Sequence, residues 1–310
     1  MNSPWEVLVL IVLLFGRVAG AQRTFKYWFV FGDSYTTVHF NYTSTQPSPQ
    51  NPIGNPPFPG VNTCTPTGRA PNWLNYLLNT YNTTLTLAYD FAVAGAKVDN
   101  SLVPIGGTPA SFVDQISRFD DGYTDGKGSG RPGGMLNDWN GDNSIVAIWF
   151  GINDIGLTYN QPNRSTFNDE LLDRYFELVT QLHVKYELQN FLFFNMPPMD
   201  RSPQGVQMSN HATETPIIAD FNAKLAQRVQ AFAFSNTTAL RVLMDIQTLI
   251  GSLLDNPQEN GFANATSVGT GREDIWCNAS HLSPAAHDFI ARAVVSVLND
   301  TQTKTSYNIL

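Results

Sequence analysis

Two residues at opposite ends of the chain are of the types that perform nucleophilic catalysis. Ser34 follows an apolar run, Tyr27 to Gly32, and Gly32 permits the backbone to turn tightly there. His281 stands near the C-terminus, just before a helical pattern. A serine hydroxyl becomes an effective nucleophile when a base removes its proton, and histidine has the side-chain pKa nearest neutral pH. The pair predicts acyl transfer through Ser34 with His281 as the general base.

Two further residues follow other apolar runs and could bind a developing negative charge. Gly95 comes at the end of the second run, and Asn153 follows the third. Attack on an ester carbonyl places negative charge on its oxygen. The backbone N–H groups of Ser34 and Gly95 and the side-chain amide of Asn153 are suited to bind that charge, and each such donor typically contributes about 10²–10³ in rate.

Short, almost continuously apolar runs predict strands buried on both faces, as in a parallel sheet covered by helices. They are Tyr27 to Gly32, Leu85 to Ala94, Ile145 to Gly151, Phe191 to Met196 and Leu240 to Asp245. Helical patterns lie at about Asn72 to Tyr81, Asn168 to Glu187, Glu214 to Ala233 and Ser283 to Leu298. This alternation predicts an α/β doubly wound fold, which binds its ligands at the carboxyl ends of the strands.

The N-terminus predicts a signal peptide over residues 1–21. Its apolar block, Val7 to Phe15, is too short to span a membrane and ends near the small residues Ala19-Gly20-Ala21. A membrane anchor is the alternative, because no Lys or Arg precedes the block. No repeat or linker divides residues 22–310, so we expect one domain in a secreted, extracellular protein without stable membrane association.

Glycosylation signals and cysteines agree with secretion. Sequons are useful only in a secretory lumen, and six are candidates for glycosylation: Asn41, Asn82, Asn163, Asn236, Asn264 and Asn299. The two cysteines, Cys64 and Cys277, are expected to form a disulfide in an oxidising compartment, with two buried free thiols as the alternative.

Charge and histidine spacing exclude two classes of function. The formal net charge is -8, and no run of Lys or Arg is present, so nucleic acid is not an expected partner. His39, His183 and His211 show no paired spacing of metal ligands, and His287 is expected to be structural. We therefore expect neither a metal nor an organic cofactor.

Two long segments interrupt the alternation of strands and helices. Asn41 to Pro71 follows the first strand and contains Cys64, which favours a wall of the site. Asp120 to Gly141 contains the sequence GKGSG but follows no strand and lacks the Lys-Ser/Thr of a phosphate-binding loop, so we expect a flexible surface loop.

The pattern of Gly32-Asp33-Ser34, Gly95, Asn153 and His281 resembles the GDSL or SGNH hydrolase superfamily over essentially the whole mature chain. The resemblance implies a flavodoxin-like three-layer α/β/α sandwich with a parallel sheet. It also implies that Ser34 is the nucleophile, that Gly95 and Asn153 are oxyanion donors, and that His281 is the base. The segments Asn195 to Pro203 and Asn55 to Gly60 resemble fungal acetyl esterases of the sixteenth carbohydrate esterase family.

One position departs from the superfamily, which usually has Asp three residues before the histidine. Here that residue is Asn278, whose amide oxygen can orient the imidazole without stabilising its charge. Asp274 and Glu273 are nearby carboxylates that could take this role. Asn278 also begins a sequon, which we expect to be unoccupied because a glycan there would hinder His281.

These features predict a secreted, glycosylated serine esterase that removes acetyl groups from carbohydrates, with an acetylated oligosaccharide or another small ester as its partner. A lipase or phospholipase of the same superfamily is one alternative. A carbohydrate-binding protein with impaired catalysis is another, motivated by Asn278. Four aromatic residues in candidate site loops could stack on sugar faces, with packing in the core as the commoner alternative: Tyr35, Trp73, Tyr159 and Trp276.

Overall fold

The computed structural model describes residues 13–14, 24–61, 64, 69–82, 84–207, 211–234 and 240–303. The predicted signal peptide, residues 1–21, lies outside the described residues except for Leu13 and Leu14. The sequon at Asn236 also lies outside them. Within the described residues, every helix is too short or too polar to cross a bilayer.

The sheet has the strand order β1-β6-β5-β4-β2-β3. Its strands are β1 Leu13–Leu14, β2 Tyr27–Gly32, β3 Leu87–Asp90, β4 Ser144–Trp149, β5 Asn190–Phe194 and β6 Arg241–Met244. Strands β2 to β6 are parallel, and β1 pairs antiparallel with β6. Each of the five predicted runs therefore contains a parallel strand, and the flavodoxin-like order is confirmed. The chain reverses its direction of travel across the sheet between β2 and β4, where such folds place their site.

Helices cover both faces of this sheet. They are α1 Trp73–Tyr76, α2 Phe112–Tyr123, α3 Ile152–Thr158, α4 Arg164–Val184, α5 Pro203–Gln207, α6 His211–Phe234, α7 Ile246–Asp255 and α8 Pro284–Thr303. A π-helical turn, Leu77–Tyr81, extends α1, and 3₁₀ turns occupy Met199–Arg201 and Gln258–Asn260. In one layer α1 and α7 pack against α8, and in the other α4 packs against α2 and α6.

The four predicted helical patterns correspond to α1 with its π-helical turn, α4, α6 and α8, whereas α2, α3, α5 and α7 were not predicted. The prediction of a flexible loop over Asp120 to Gly141 was wrong at its start, because α2 continues to Tyr123. Farther along, Trp139 is buried and its indole N–H donates to the Tyr123 carbonyl oxygen at 2.9 Å. This segment therefore packs onto the core through its tryptophan.

A disulfide joins the loop after β2 to the segment before α8. Cys64 and Cys277 are bonded and lie 213 residues apart in sequence. Both are buried in a small cluster with Ala70. The bond therefore links the chain around Ser34 to the chain around His281.

Replacing both cysteines with alanine should lower the free energy of unfolding by up to about 5 kcal/mol, because the bond closes a long loop in the unfolded chain. Urea denaturation of the double variant and the unreduced wild type measures the difference. Equal midpoints and slopes would contradict a stabilising role for the bond.

Candidate active site

Ser34 and His281 meet at the carboxyl end of the sheet. Ser34 follows β2 by two residues, and His281 precedes α8. The Nε2 atom of His281 lies 2.8 Å from the Oγ atom of Ser34, although the residues are 247 positions apart. Both residues are half-buried.

Backbone amides define the turn that presents Ser34. The carboxylate of Asp33 accepts the Tyr35 N–H at 2.9 Å. The Asp33 carbonyl oxygen accepts the amides of Thr36 and Thr37. Gly32 is required here because a Cβ atom would lie 3.0 Å from the Trp149 carbonyl oxygen on the neighbouring strand.

Two side chains that the sequence did not single out hold the chain on either side of Ser34. The Gln115 amide accepts the Gly32 N–H at 3.0 Å and donates to the Gly32 carbonyl at 2.9 Å. The Asp90 carboxylate accepts the amides of Val38 at 2.6 Å and Ala92 at 3.1 Å. The sequence offered one usable signal: Ser111 and Asp114 form a capping box that starts α2, the helix that carries Gln115.

Asn278 is the residue that the structure places against the His281 ring. Its Oδ1 atom lies 3.0 Å from His281 Nδ1 and accepts the backbone N–H groups of Ser280 at 3.0 Å and His281 at 2.9 Å. The Oγ atom of Ser280 lies 3.3 Å from the same ring nitrogen. The Asp274 carboxylate instead accepts the Gly271 N–H at 3.1 Å, and Glu273 is exposed.

Gly95 and Asn153 lie beside the Ser34 turn. Gly95 adopts a positive φ of 78°, which only glycine adopts without strain. Asn153, in the first turn of α3, donates its side-chain amide to the Ala96 carbonyl oxygen at 2.9 Å and to the Asp33 carboxylate at 3.1 Å. One amide thus connects the turn after β3 with the turn after β2.

Burial changes the protonation of the site. It lowers the pKa of His281 to about 4, so the ring is neutral and able to accept a proton at neutral pH. It also raises the pKa of Asp33 to about 7 and that of Asp154 to about 6. The acceptor at Nδ1 is an amide, which brings no charge to stabilise an imidazolium.

Of the four aromatic residues considered for sugar stacking, three are packed in the core instead. Trp73 and Trp276 have no exposed surface, and Tyr35 is only 1% exposed. Trp73 packs on Phe194, so its ring contributes to the core. Tyr159 is half-buried against the core. Sequence pattern alone does not distinguish an aromatic residue of a site loop from one that anchors that loop.

The other histidines lie apart from one another. His39 is exposed, the Nδ1 atom of His183 lies 2.8 Å from the Leu188 carbonyl oxygen, and His287 is buried in α8. No group of three or more His, Cys, Asp or Glu side chains within the described ranges is placed to hold a metal ion.

The chain is similar in sequence to known proteins. The family model of the GDSL-like lipases and acylhydrolases matches residues 29–294. An acetylesterase of Thermothelomyces thermophilus is 32% identical over 276 residues, which cover 87% of each chain.

Among solved structures, a putative GDSL-like lipase from Parabacteroides merdae aligns with a TM-score of 0.52 at 10% identity. The alignment covers 92% of this chain and 99% of that one. An acetyl-xylooligosaccharide esterase from Geobacillus Stearmophilus aligns with a TM-score of 0.49 at 14% identity, covering 90% of this chain and 95% of that one. The first of these supports the fold assignment.

The low pKa of His281 predicts activity in acid. Because the base must be neutral to accept a proton, kcat/KM for a neutral ester should stay level down to about pH 5 and fall only near the His281 pKa of about 4. A pH profile of kcat/KM measures this, with Asp33→Asn to identify any contribution of Asp33. An acid limb centred at or above the ordinary histidine value of about 6.5 would contradict the prediction.

Asn278 substitutions should separate orientation from charge. Asn278→Ala should lower kcat by about tenfold or more, because the His281 ring loses the contact that orients it. General base catalysis as a whole typically raises the rate by about 10²–10⁴-fold. Asn278→Asp should raise kcat modestly, because a carboxylate stabilises the imidazolium. The variants are compared with the wild type after expression in a host that does not glycosylate asparagine, so that a glycan on Asn278 cannot contribute to the difference. Unchanged turnover in Asn278→Ala would remove this residue from the mechanism.

Proposed function

Because the chain belongs to the GDSL-like lipase/acylhydrolase family and is a carboxylic ester hydrolase, we propose that it removes acetyl groups from carbohydrates by a Ser34–His281 mechanism. The observation that carries the proposal is the 2.8 Å contact between His281 Nε2 and Ser34 Oγ. Geometry of this kind allows the proton of the hydroxyl group to pass to the ring as the oxygen attacks.

The reaction proceeds in two halves. The Ser34 oxygen forms a bond to the acetyl carbonyl carbon while its proton moves to His281 Nε2. The tetrahedral intermediate collapses, and His281 gives that proton to the leaving sugar oxygen, which leaves an acetyl group on Ser34. Water then attacks the acyl-enzyme while His281 takes its proton. His281 returns a proton to Ser34, and acetate is released.

The negative charge of each intermediate is stabilised by the turns after β2, β3 and β4. Its donors are the backbone N–H groups of Ser34 and Gly95 and the Asn153 amide. In the resting arrangement that amide donates to Ala96 and Asp33. The N–H directed at Asp33 is the one that serves the oxyanion, and the bond to Ala96 keeps the amide in place.

Acetylated carbohydrate is the favoured substrate. The relative that is 32% identical over most of the chain is named an acetylesterase, which supports a short acyl group. The segments Asn195 to Pro203 and Asn55 to Gly60 resemble acetyl esterases that act on plant polysaccharide fragments.

Secretion and glycosylation form part of the proposal. The Cys64–Cys277 bond suits an oxidising compartment. The sequon asparagines 41, 163, 264 and 299 are exposed, and Asn82 is half-buried. We expect Asn278 to carry no glycan, because its amide oxygen contacts the general base.

Removing either member of the dyad should abolish most turnover. Ser34→Ala and His281→Ala should each lower kcat by more than about 10³ while the melting temperature changes little, because both residues act on the transition state. Turnover of 4-nitrophenyl acetate and thermal unfolding measure the two effects. Activity within about tenfold of wild type, which is about 1.4 kcal/mol of barrier, would contradict the assignment.

Acyl chain length distinguishes the proposal from its alternatives. The wild type should hydrolyse 4-nitrophenyl acetate with a higher kcat/KM than the palmitate ester, with Ser34→Ala as the background control. It should also release acetate from acetylated xylo-oligosaccharides. A preference for palmitate would indicate a lipase, and no turnover of any ester would indicate a binding protein.

A further inference from the structure

Tyr35, the residue after Ser34, is buried and reaches the segment that carries His281. Its hydroxyl group donates to the Ser280 carbonyl oxygen at 2.5 Å and lies 3.2 Å from the Met199 sulfur. Its ring packs at a centroid distance of 5.5 Å from the His281 ring and 5.4 Å from Trp149. The residue that directly follows Ser34 in the chain therefore contacts both the His281 ring and the backbone carbonyl of Ser280.

The acceptor of this bond belongs to the peptide group that joins Ser280 to His281. The carbonyl oxygen of that peptide accepts from Tyr35, and its N–H donates to the Asn278 side chain at 2.9 Å. The two bonds hold opposite sides of one planar group. The His281 Cα atom belongs to this plane, so a displacement of the plane would move that atom and, with it, the Nε2 atom that lies 2.8 Å from Ser34.

Asn278 and Tyr35, the two residues that bond to this peptide group, lie on different loops. Asn278 lies on the same loop as His281 and would move with it. Tyr35 lies on the nucleophile loop, which other elements hold: Gln115 bonds to the Gly32 backbone and Asn153 donates to Asp33. Of these two bonds, the one from Tyr35 therefore links the loop of His281 to the loop of Ser34.

We infer that Tyr35 is a positioning residue, which fixes the distance between Ser34 and His281 through the hydrogen bond from its hydroxyl group to Ser280. The inference rests on the proposed dyad mechanism. Without the bond, the peptide before His281 keeps only its Asn278 contact, so the base samples positions that are less productive. Substrate binding is unaffected, because the buried hydroxyl group does not reach the solvent.

The test compares kcat and KM for 4-nitrophenyl acetate in Tyr35→Phe and the wild type, with rates divided by the number of active sites from phosphonate titration. Displacement of a catalytic group by about 1 Å can cost as much as 10²-fold, so we expect a fall in kcat of about tenfold with KM within about twofold. Incorporation of 4-aminophenylalanine at position 35, which restores a donor on a similar ring, should recover most of the loss.

Tyr175→Phe is the matched control, since Tyr175 is another buried tyrosine and its hydroxyl group has no hydrogen-bond partner among the described residues. It should leave kcat unchanged. If the wild type shows no turnover, the proposed function itself fails.

Wild-type turnover with an unaltered kcat in Tyr35→Phe would overturn this inference alone. A loss confined to the fraction of active sites, or a loss that 4-aminophenylalanine does not recover, would also overturn it. If Tyr35→Phe does not fold, the 4-aminophenylalanine variant decides. Folded protein with a lowered kcat would show that a donor at this position does not position the base, whereas wild-type kcat would support the inference.

Discussion

The site depends on one contact between two loops that are distant in sequence. His281 Nε2 and Ser34 Oγ lie 2.8 Å apart and are separated by 247 residues, so the whole fold must bring the loops together. The parallel sheet does so coarsely, because the carboxyl ends of its strands share one edge. The Cys64–Cys277 bond and the hydrogen bond from Tyr35 to Ser280 then join the two loops directly.

Buried polar side chains complete the positioning at a finer scale. Asp33, Asp90 and Gln115 have almost no exposed surface, and each satisfies backbone amides that would otherwise be unpaired beside the nucleophile. Burial also raises the pKa of Asp90 to about 8 and that of Asp33 to about 7. The same burial lowers the pKa of His281 to about 4 and so keeps this ring neutral at neutral pH.

Much of this arrangement could be predicted from the sequence. The five parallel strands are visible in the sequence as continuous apolar runs. In a parallel sheet the carboxyl ends of the strands lie at one edge, so the topology alone places the residues that follow them close together. Helix α3 shows little periodicity in the sequence because it is short and follows β4 directly, and the signal for α2 is the capping box at its start. Burial of Trp73 and Trp276 and the bond from Tyr35 to Ser280 depend on long-range packing, which local pattern does not encode. The sequence also does not show whether Asn278 or Asp274 contacts His281. The path of the loop decides this: it places Asn278 against the ring and directs Asp274 to the Gly271 N–H.

The activation of Ser34 by His281 can be measured by peptide mapping after reaction with a fluorophosphonate, which captures a serine that is activated by a base. We expect one adduct per chain, located on Ser34, formed in step with the loss of esterase activity and nearly absent in His281→Ala. An adduct on a different serine, or full inactivation without modification of Ser34, would contradict it.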